Sequence, residues 1–165
     1  MAVTVQALRL RPFRATDEAA AIAAHESLKQ DHFQFLLNYG EGEPWADYIQ
    51  RLEYFRRGTE IPADRVPDSF LAAVVGDGLV GRVSVRHSLN EWLARYGGHI
   101  GYGVVPSQRR RGYATEILRQ ALVVARSVGV DDVLLVCADS NVGSARAIEA
   151  CGGRLESTVP GPDGG

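Results

Sequence analysis

The segment that most constrains the fold is a short strand that leads into an arginine–glycine turn and then into a strongly amphipathic helix. The strand HIGYGVV, residues 99–105, is followed by PSQRRRG and then by a helical pattern from Tyr113 onward. Gly129 marks the helix end, as glycine often does. One face of that helix is apolar and comprises Ile117, Leu118, Ala121, Leu122, Ala125 and Val128. This order predicts a sheet with a helix packed on it.

The rest of the chain supplies further strands and helices at the spacing that this layered arrangement needs. The segment FLAAVVGDGLVGRVSVRH contains two apolar strands around a GDG turn, which predicts a hairpin. Thr16 is a candidate N-cap for the first helix, and the second helix runs from Pro44 to Gly58. The remaining predicted elements are a strand at 8–13, a strand at 131–138, a short helix at 141–152 and a last strand at 153–158. Residues 31–43 are ambiguous, with a short helix closed by Gly40 as one interpretation.

We therefore expect a single domain over residues 1–165. Its fold class is α/β (α+β), with a mixed, mostly antiparallel central sheet flanked by helices in the order β-α-α-β-β-β-α-β-α-β. The pattern is not repeated anywhere along the chain.

Composition excludes several classes of function. The net charge of −2 is unlike that of nucleic-acid-binding domains, so no nucleic-acid partner is expected. No apolar run approaches eighteen residues, so we expect no membrane partner. The first thirteen residues lack the pattern of a signal peptide. Cys137 and Cys151 lack metal-type spacing, which predicts no metal site, two free and packed thiols, and a cytoplasmic location.

The arginine–glycine turn has the chemistry of an anion site. A helix N-terminus presents unpaired N–H groups and partial positive charge, and phosphate is its usual ligand. Gly112 permits close backbone approach, and the neighbouring arginines add charge. Gly101 and Gly103 make the preceding strand accessible. Together these features predict a long ligand with phosphates at one end and an amide-bearing arm along the strand, although a solvated charged loop is the alternative.

The residues Arg109-Arg110-Arg111-Gly112-Tyr113-Ala114 resemble the R/Q-x-x-G-x-G/A signature of the GNAT acetyltransferase superfamily. The later segment DDVLLVCADSNVGSARAIEACGG resembles the next element of that superfamily, a strand followed by a short helix that ends in a glycine pair. The resemblance covers residues 70–158 well. The run from His87 to Leu118 is similar to a bacterial branch of predicted GNAT proteins.

This resemblance implies acetyl-CoA as the co-substrate. The backbone N–H groups of residues 110–114, which are Arg110, Arg111, Gly112, Tyr113 and Ala114, would hold its pyrophosphate, with Arg109 and Arg111 adding side-chain charge. The pantetheine arm would pair with the strand from Tyr102 through Val104 and Val105. Asn141 would contact the arm, and Ser144 and Arg146 would reach the phosphate end. Asn141 also suits a purely structural role as a helix N-cap.

The catalytic groups depart from the family pattern. Many GNAT enzymes protonate the leaving thiolate with a tyrosine, but Ile148 stands at that position. The usual glutamate base is matched by His99, whose ordinary pKa suits proton transfer. Tyr102 is a candidate acid, as are Tyr113 and Cys151, and a backbone N–H near Tyr102 would serve the oxyanion. Each of these side chains also fits a structural role.

The resulting hypothesis is an N-acetyltransferase that moves an acetyl group from acetyl-CoA to a primary amine of a small molecule or peptide by direct transfer. A catalytically weak acyl-CoA-binding or sensing module is the alternative, and an unrelated nucleotide-phosphate binder is a third. Candidate acceptor-site residues are Trp45, Tyr48, Phe55, Glu91 and Trp92, with core packing as their other role. The segment GRLESTVPGPDGG supplies one strand where the family fold has a closing hairpin, so that hairpin is truncated here or a partner strand completes it in a homodimer.

Overall fold

The computed structural model describes residues 7–162. Residues 1–6 and 163–165, which include part of the segment judged for a signal peptide and the end of the glycine–proline tail, lie outside the described residues. The described strands are β1 (Leu8–Pro12), β2 (Asp68–Val75), β3 (Gly78–Arg86) and β4 (Ile100–Val104). The described α-helices are α1 (Glu18–Leu28), α2 (Trp45–Arg57), α3 (Tyr113–Ser127) and α4 (Val142–Ala150).

The four strands form one sheet in the order β1-β2-β3-β4. Each neighbouring pair is antiparallel, in agreement with the mostly antiparallel sheet that the sequence predicted, and no parallel pair forms within residues 7–162. Side chains alternate between its two faces. One face packs on α3 and α4 through Val83, Val85 and Ile100, and the other packs on α1 and α2 through Phe70 and Ala72. The predicted α+β arrangement of helices flanking a mostly antiparallel sheet is confirmed.

The start of α1 differs from the prediction because Asp17, and not Thr16, satisfies the backbone there. A short 3₁₀ turn, Ala15–Asp17, precedes the helix. The Asp17 carboxylate accepts a hydrogen bond from the Arg14 backbone N–H at 2.7 Å. It also forms a bidentate ion pair with Arg11, at 2.7 and 2.8 Å, which ties the helix start to β1.

The predictions for α2 and α3 are confirmed. Pro44 immediately precedes α2, and Gly58 ends it in the left-handed conformation with φ of 71°. The apolar face of α3 is buried at Ile117, Leu118 and Ala121. Residues 31–43, in contrast, form no α-helix and cross the sheet as a loop with Phe35 and Leu36 fully buried.

The strand predicted at residues 131–138 is wrong apart from one bridge. Gly98 pairs with Leu135, and the His99 N–H donates to the Leu134 carbonyl oxygen at 2.8 Å. Gly98 has φ of 68° and follows a π-helical turn, Leu93–Gly97, so the chain bends here and the two segments separate beyond the bridge. Cys137 is consequently exposed rather than packed.

The last predicted strand, residues 153–158, is also absent from the described part of the chain. These residues have no regular secondary structure. Its one large apolar side chain, Leu155, is 87% exposed, so nothing buries the segment against the sheet. No helix within residues 7–162 combines the length and the apolar character needed to cross a membrane.

Candidate active site

A cavity of about 400 Å³ opens where β4, the turn before α3, and α4 converge. We call it the edge cavity, because it lies along the free edge of β4. Its lining comes from three parts of the chain: Leu28, Asp31 and Phe33; Tyr102, Gly103, Val104, Arg109 and Ala114; and Asn141, Gly143 and Ser144.

The free edge of β4 offers backbone hydrogen-bonding groups to this cavity. On the paired edge, the Val105 N–H donates to Val80 and the His99 carbonyl oxygen accepts from Arg86. Because pairing groups alternate along an antiparallel strand, the N–H and C=O groups of Tyr102 and Val104 point to the opposite edge. No strand among residues 7–162 pairs with that edge. It can therefore receive an extended ligand in the manner of an added strand.

The turn before α3 places a helix N-terminus at one end of the edge cavity. Gly112 has φ of 78°, and a Cβ built there would meet no atom within 4 Å. Arg110 is also left-handed, with φ of 64°. The first-turn N–H groups of α3 have no intrahelical acceptor and carry partial positive charge. Since the backbone at Gly112 is open, this end suits an anionic group.

The three arginines of the turn are exposed, and one of them lies across the cavity mouth. Arg109 Nη2 is 3.4 Å from the Asp31 carboxylate, and both side chains are about half exposed. An exposed pair of this length is weak. The guanidinium is therefore easily redirected to a bound anion.

Asn141 and Ser144 belong to one hydrogen-bonded group at the other wall. Asn141 Oδ1 accepts from the Ser144 backbone N–H at 3.1 Å and caps α4. Its Nδ2 remains available to a ligand. Ser144 Oγ lies 2.8 Å from Tyr102 Oη and joins α4 to β4. Burial raises the pKa of Tyr102, so its phenol stays protonated at neutral pH.

His99 is placed differently. It is buried, and its Nδ1 accepts a hydrogen bond from the Leu134 backbone N–H at 2.9 Å. Burial, with a smaller contribution from Arg86, lowers its pKa. It does not line the edge cavity. One ring nitrogen is thus committed to holding residues 134–135 beside β4.

The edge cavity brings together Tyr102 and five of the predicted cofactor residues: Val104, Arg109, Ala114, Asn141 and Ser144. The other predicted cofactor residues, outside its lining, are Val105, Arg110, Arg111, Gly112, Tyr113 and Arg146. Arg146 is exposed on α4. Two further candidate acids, Tyr113 and Cys151, lie outside the lining, and the Cys151 Sγ points toward the Thr115 carbonyl oxygen at 3.6 Å.

Four lining residues, Leu28, Asp31, Phe33 and Gly143, were not anticipated. Phe33 lies directly on β4, because a Cβ on Gly103 would come within 2.6 Å of its ring. The glycine in the strand correctly indicated a close approach, but on this face the approaching group is a side chain. Sequence reasoning had no means of placing the loop after α1 over β4.

A larger cavity of about 900 Å³ lies on the α1/α2 face of the sheet. We call it the face cavity. It includes the predicted acceptor-site residues Phe55, Glu91 and Trp92, whereas Trp45 and Tyr48 are buried in the core. The rest of its lining is Leu37, Asn38, Arg51, Leu52, Asp64, Arg65, Val66, Asp68, Phe70, Arg86, Asn90 and Leu93. Residues 7–162 contain no cluster of three His, Cys, Asp or Glu side chains suited to a metal ion.

Solved structures share this fold. Mycobacterium smegmatis RimJ, in complex with CoA-disulfide, is similar with a TM-score of 0.64 and 19% identity over 93% of this chain and 73% of that one. Aminoglycoside acetyltransferase AAC(6′)-Ib, in complex with coenzyme A, gives 0.56 and 20% identity over 96% and 90%. Vibrio cholerae spermidine N-acetyltransferase, with CoA and spermine, gives 0.52 and 16% over 88% and 79%.

A comparison with curated protein sequences gave no significant match. The family model of the acetyltransferase (GNAT) domain matches residues 7–154, which is most of the chain. Together with the strand, turn and helix that form the edge cavity, this match shows that the chain belongs to the GNAT acetyltransferase family.

Proposed function

We propose that this protein transfers an acetyl group from acetyl-CoA to a primary amine of a small molecule or peptide, by direct attack of the amine on the thioester. The observation that carries the proposal is the edge cavity itself. It joins an open strand edge at Tyr102 and Val104 to a helix N-terminus beside Gly112. A ligand with an amide-bearing arm and a pyrophosphate needs both parts, the strand edge for the arm and the helix N-terminus for the pyrophosphate.

In this arrangement the pantetheine arm extends β4 through the backbone groups of Tyr102 and Val104. The pyrophosphate lies on the N–H groups of residues 110–114, with Arg109 and Arg111 supplying charge. Asn141 Nδ2 donates to the arm while Oδ1 keeps its capping bond. Ser144 and Arg146 lie further along α4 toward the phosphate end. The protein's contribution is mainly alignment of the two reactants, which by itself lowers the barrier substantially.

Tyr102 is the best-placed acid for the departing thiolate. Its hydroxyl lies in the edge cavity, and burial keeps it protonated. The hydrogen bond with Ser144 fixes its direction. The role of His99 as base stays a prediction, and its bond to Leu134 favours a structural role instead.

A second candidate, an acyl-CoA-binding or sensing module, is favoured by Ile148. This aliphatic side chain stands where many relatives carry a tyrosine, and it packs against the core. The two candidates differ in turnover only. A screen for CoA release uses spermine and kanamycin, which are bound in the structures of two neighbours, together with peptide N-termini and simple amines. Release with any of them excludes a purely binding role.

The co-substrate is tested by thermal unfolding with acetyl-CoA, CoA and ATP. Gly112→Glu places a carboxylate in the open space at the α3 N-terminus, where it repels phosphate. Gly129→Glu is the matched control, since Gly129 also has positive φ, 90°, and open space, but near the other end of α3. A ligand at a hundred times its Kd stabilises by about 2.7 kcal/mol.

We expect acetyl-CoA and CoA to stabilise the wild type and Gly129→Glu but not Gly112→Glu, and ATP to have little effect. If acetyl-CoA stabilised both variants equally, the turn at Gly112 would not be part of the binding site. Equal stabilisation by ATP would favour an unrelated nucleotide-phosphate binder. The cytoplasmic location and the homodimer stay predictions, the latter testable by light scattering.

A further inference from the structure

Asp68, at the start of β2, carries a buried carboxylate oxygen that has no hydrogen-bond partner. Its Oδ2 accepts a hydrogen bond from Ser84 Oγ at 2.5 Å. Its Oδ1 is the only buried side-chain nitrogen or oxygen atom within residues 7–162 that is left without a partner. Asp68 also lines the face cavity. A buried polar atom without a partner is costly, and a donor that reached it from the cavity would remove that cost.

The nearby arginines do not satisfy this oxygen. Arg86 donates to the carbonyl oxygens of Gly97 and Gly98, at 3.1 and 3.3 Å. Arg82 donates to the carbonyl oxygens of Phe35, Gln34 and Gly101. Neither forms an ion pair with Asp68 within 4 Å among the described residues. Burial outweighs the attraction of both guanidinium groups and raises the pKa of Asp68.

The sheet register relates this carboxyl to β4. Asp68 lies opposite Arg86, and Ser84 lies opposite Gly101. Neighbouring strands are about 4.8 Å apart, and Asp68 lies on β2, which is separated from β4 by β3 alone. Arg86, in the cavity wall, lies 3.1 Å from where a Cβ on Gly101 would be. The face cavity is therefore separated from β4 at Gly101 by the side chain of Arg86, on the face of the sheet opposite α3.

The remaining lining determines which amine fits. Leu37, Leu52, Phe55, Phe70 and Trp92 give the cavity extensive apolar walls. The other two acidic side chains of the lining, Asp64 and Glu91, are exposed. Three arginines also line it: Arg51, Arg65 and Arg86. One buried acceptor oxygen among apolar walls and arginines suits one amino group on an apolar body, and it disfavours a polycation.

We propose that the face cavity is the acceptor site, that Asp68 Oδ1 accepts a hydrogen bond from the acceptor's amino group, and that the acceptor is an alkyl or arylalkyl monoamine. The proposal rests on the proposed function for the meaning of "acceptor". The binding of an amine by Asp68 is measurable without any turnover. It also separates this chain from the polyamine and aminoglycoside chemistry named for its structural neighbours.

The test is calorimetric titration of 2-phenylethylamine, n-hexylamine, spermine and the amine-free analogue 2-phenylethanol, with and without CoA. The variants are Asp68→Asn and, as a matched control, Asp77→Asn in the exposed β2–β3 turn. We expect at least one monoamine to bind the wild type more tightly than spermine and 2-phenylethanol do. Asp68→Asn should weaken that amine at least tenfold, while Asp77→Asn should leave it unchanged.

Several outcomes would overturn the proposal: equal amine affinity in Asp68→Asn, preference for spermine, or no amine binding at all by a protein that binds CoA. Failure of CoA binding in the wild type counts against the proposed function instead. CoA binding by Asp68→Asn shows that it is folded. If that variant does not fold, Asp68→Glu decides the question, because shifting the carboxylate by one methylene must cost at least fivefold in amine affinity.

Discussion

Tyr102 Oη and Ser144 Oγ lie 2.8 Å apart, and their hydrogen bond spans the edge cavity from β4 to α4. The contact sits between an open strand edge and a capped helix, where the proposed pantetheine arm would pass. This hydrogen bond fixes the direction of the phenol. It also gives the phenol a partner, Ser144, that can return a proton after the phenol has donated its own. The family's usual tyrosine position is Ile148, and in the proposed mechanism Tyr102, hydrogen-bonded to the second hydroxyl of the cavity on Ser144, takes its place.

Tyr102→Phe is expected to lower kcat with the best amine by about 10²-fold, the lower range for loss of a general acid. The ring stays, so packing and the KM for acetyl-CoA should change by less than threefold. Steady-state kinetics measures both. Ser144→Ala is the control, since it removes the partner and keeps the phenol, and its kcat should fall less than tenfold. A Tyr102→Phe enzyme with wild-type kcat would leave proton transfer to water.

Asn141 has two separable tasks, and two substitutions distinguish them. Asn141→Asp keeps an oxygen for the Ser144 N–H but loses the Nδ2 donor. We expect its stability to match the wild type while the Kd of CoA rises about tenfold, the worth of one lost hydrogen bond at about 1.4 kcal/mol. Asn141→Ala should in addition unfold about 1 kcal/mol more easily, because the cap is lost. Urea unfolding and CoA titration separate the two effects, and unchanged CoA affinity in both variants would make Asn141 a cap alone.

Asp31→Asn is expected to tighten CoA binding two- to fivefold at low salt. The Asp31 carboxylate lies at the mouth of the edge cavity and holds Arg109 at 3.4 Å, so it both repels phosphate and competes for the guanidinium. Both charge interactions take place in solvent, so they should vanish near 0.5 M salt, where the screening length is about 4 Å. Titrations at two ionic strengths measure this, with Asp77→Asn as the control. A salt-independent gain would point to packing instead of charge.

The turn at residues 109–112 and the α3 helix were predictable because their determinants are local. The left-handed turn at Gly112 and the apolar stripe of α3 are each set by residues within one or two helical turns. The partners of Arg82 were not predictable. In the alternating strand LVGRVSV, Arg82 has the position of a solvent-facing residue, yet it is 2% exposed and bonds the backbone of residues 34 and 35. That contact depends on where the loop after α1 crosses the sheet, which no local pattern encodes.

The segment at 131–138 shows a second kind of failure. Its continuous apolar run predicts a central strand, and Val133 and Leu135 do pack against the core. Pairing, however, also requires a neighbour at the right distance along its length. The left-handed Gly98 and the π-helical turn before it bend the chain, so that only one bridge forms. At the bend His99 and Leu134 hydrogen-bond each other across 35 residues of sequence, and apolar periodicity carries no information about such a contact.

The ion pair of Arg11 with Asp17 predicts a specific loss of stability in acid. Both side chains are largely buried, and the Arg11 hydrogen bonds, with a smaller contribution from the Arg14 N–H, lower the pKa of Asp17. A lowered pKa in the folded state means stabilisation that is present above the ordinary value of 3.8 and is lost as the pH falls through the folded value. Asp17→Asn should therefore unfold about 2 kcal/mol more easily at pH 7, with a gap that narrows below about pH 4. Urea unfolding between pH 7 and pH 3 measures the gap.

Glu53→Gln, which breaks an exposed pair with Arg56, should change stability far less at either pH. A gap for Asp17→Asn that stays constant down to pH 3 would assign the stabilisation to packing rather than to the ionised carboxylate.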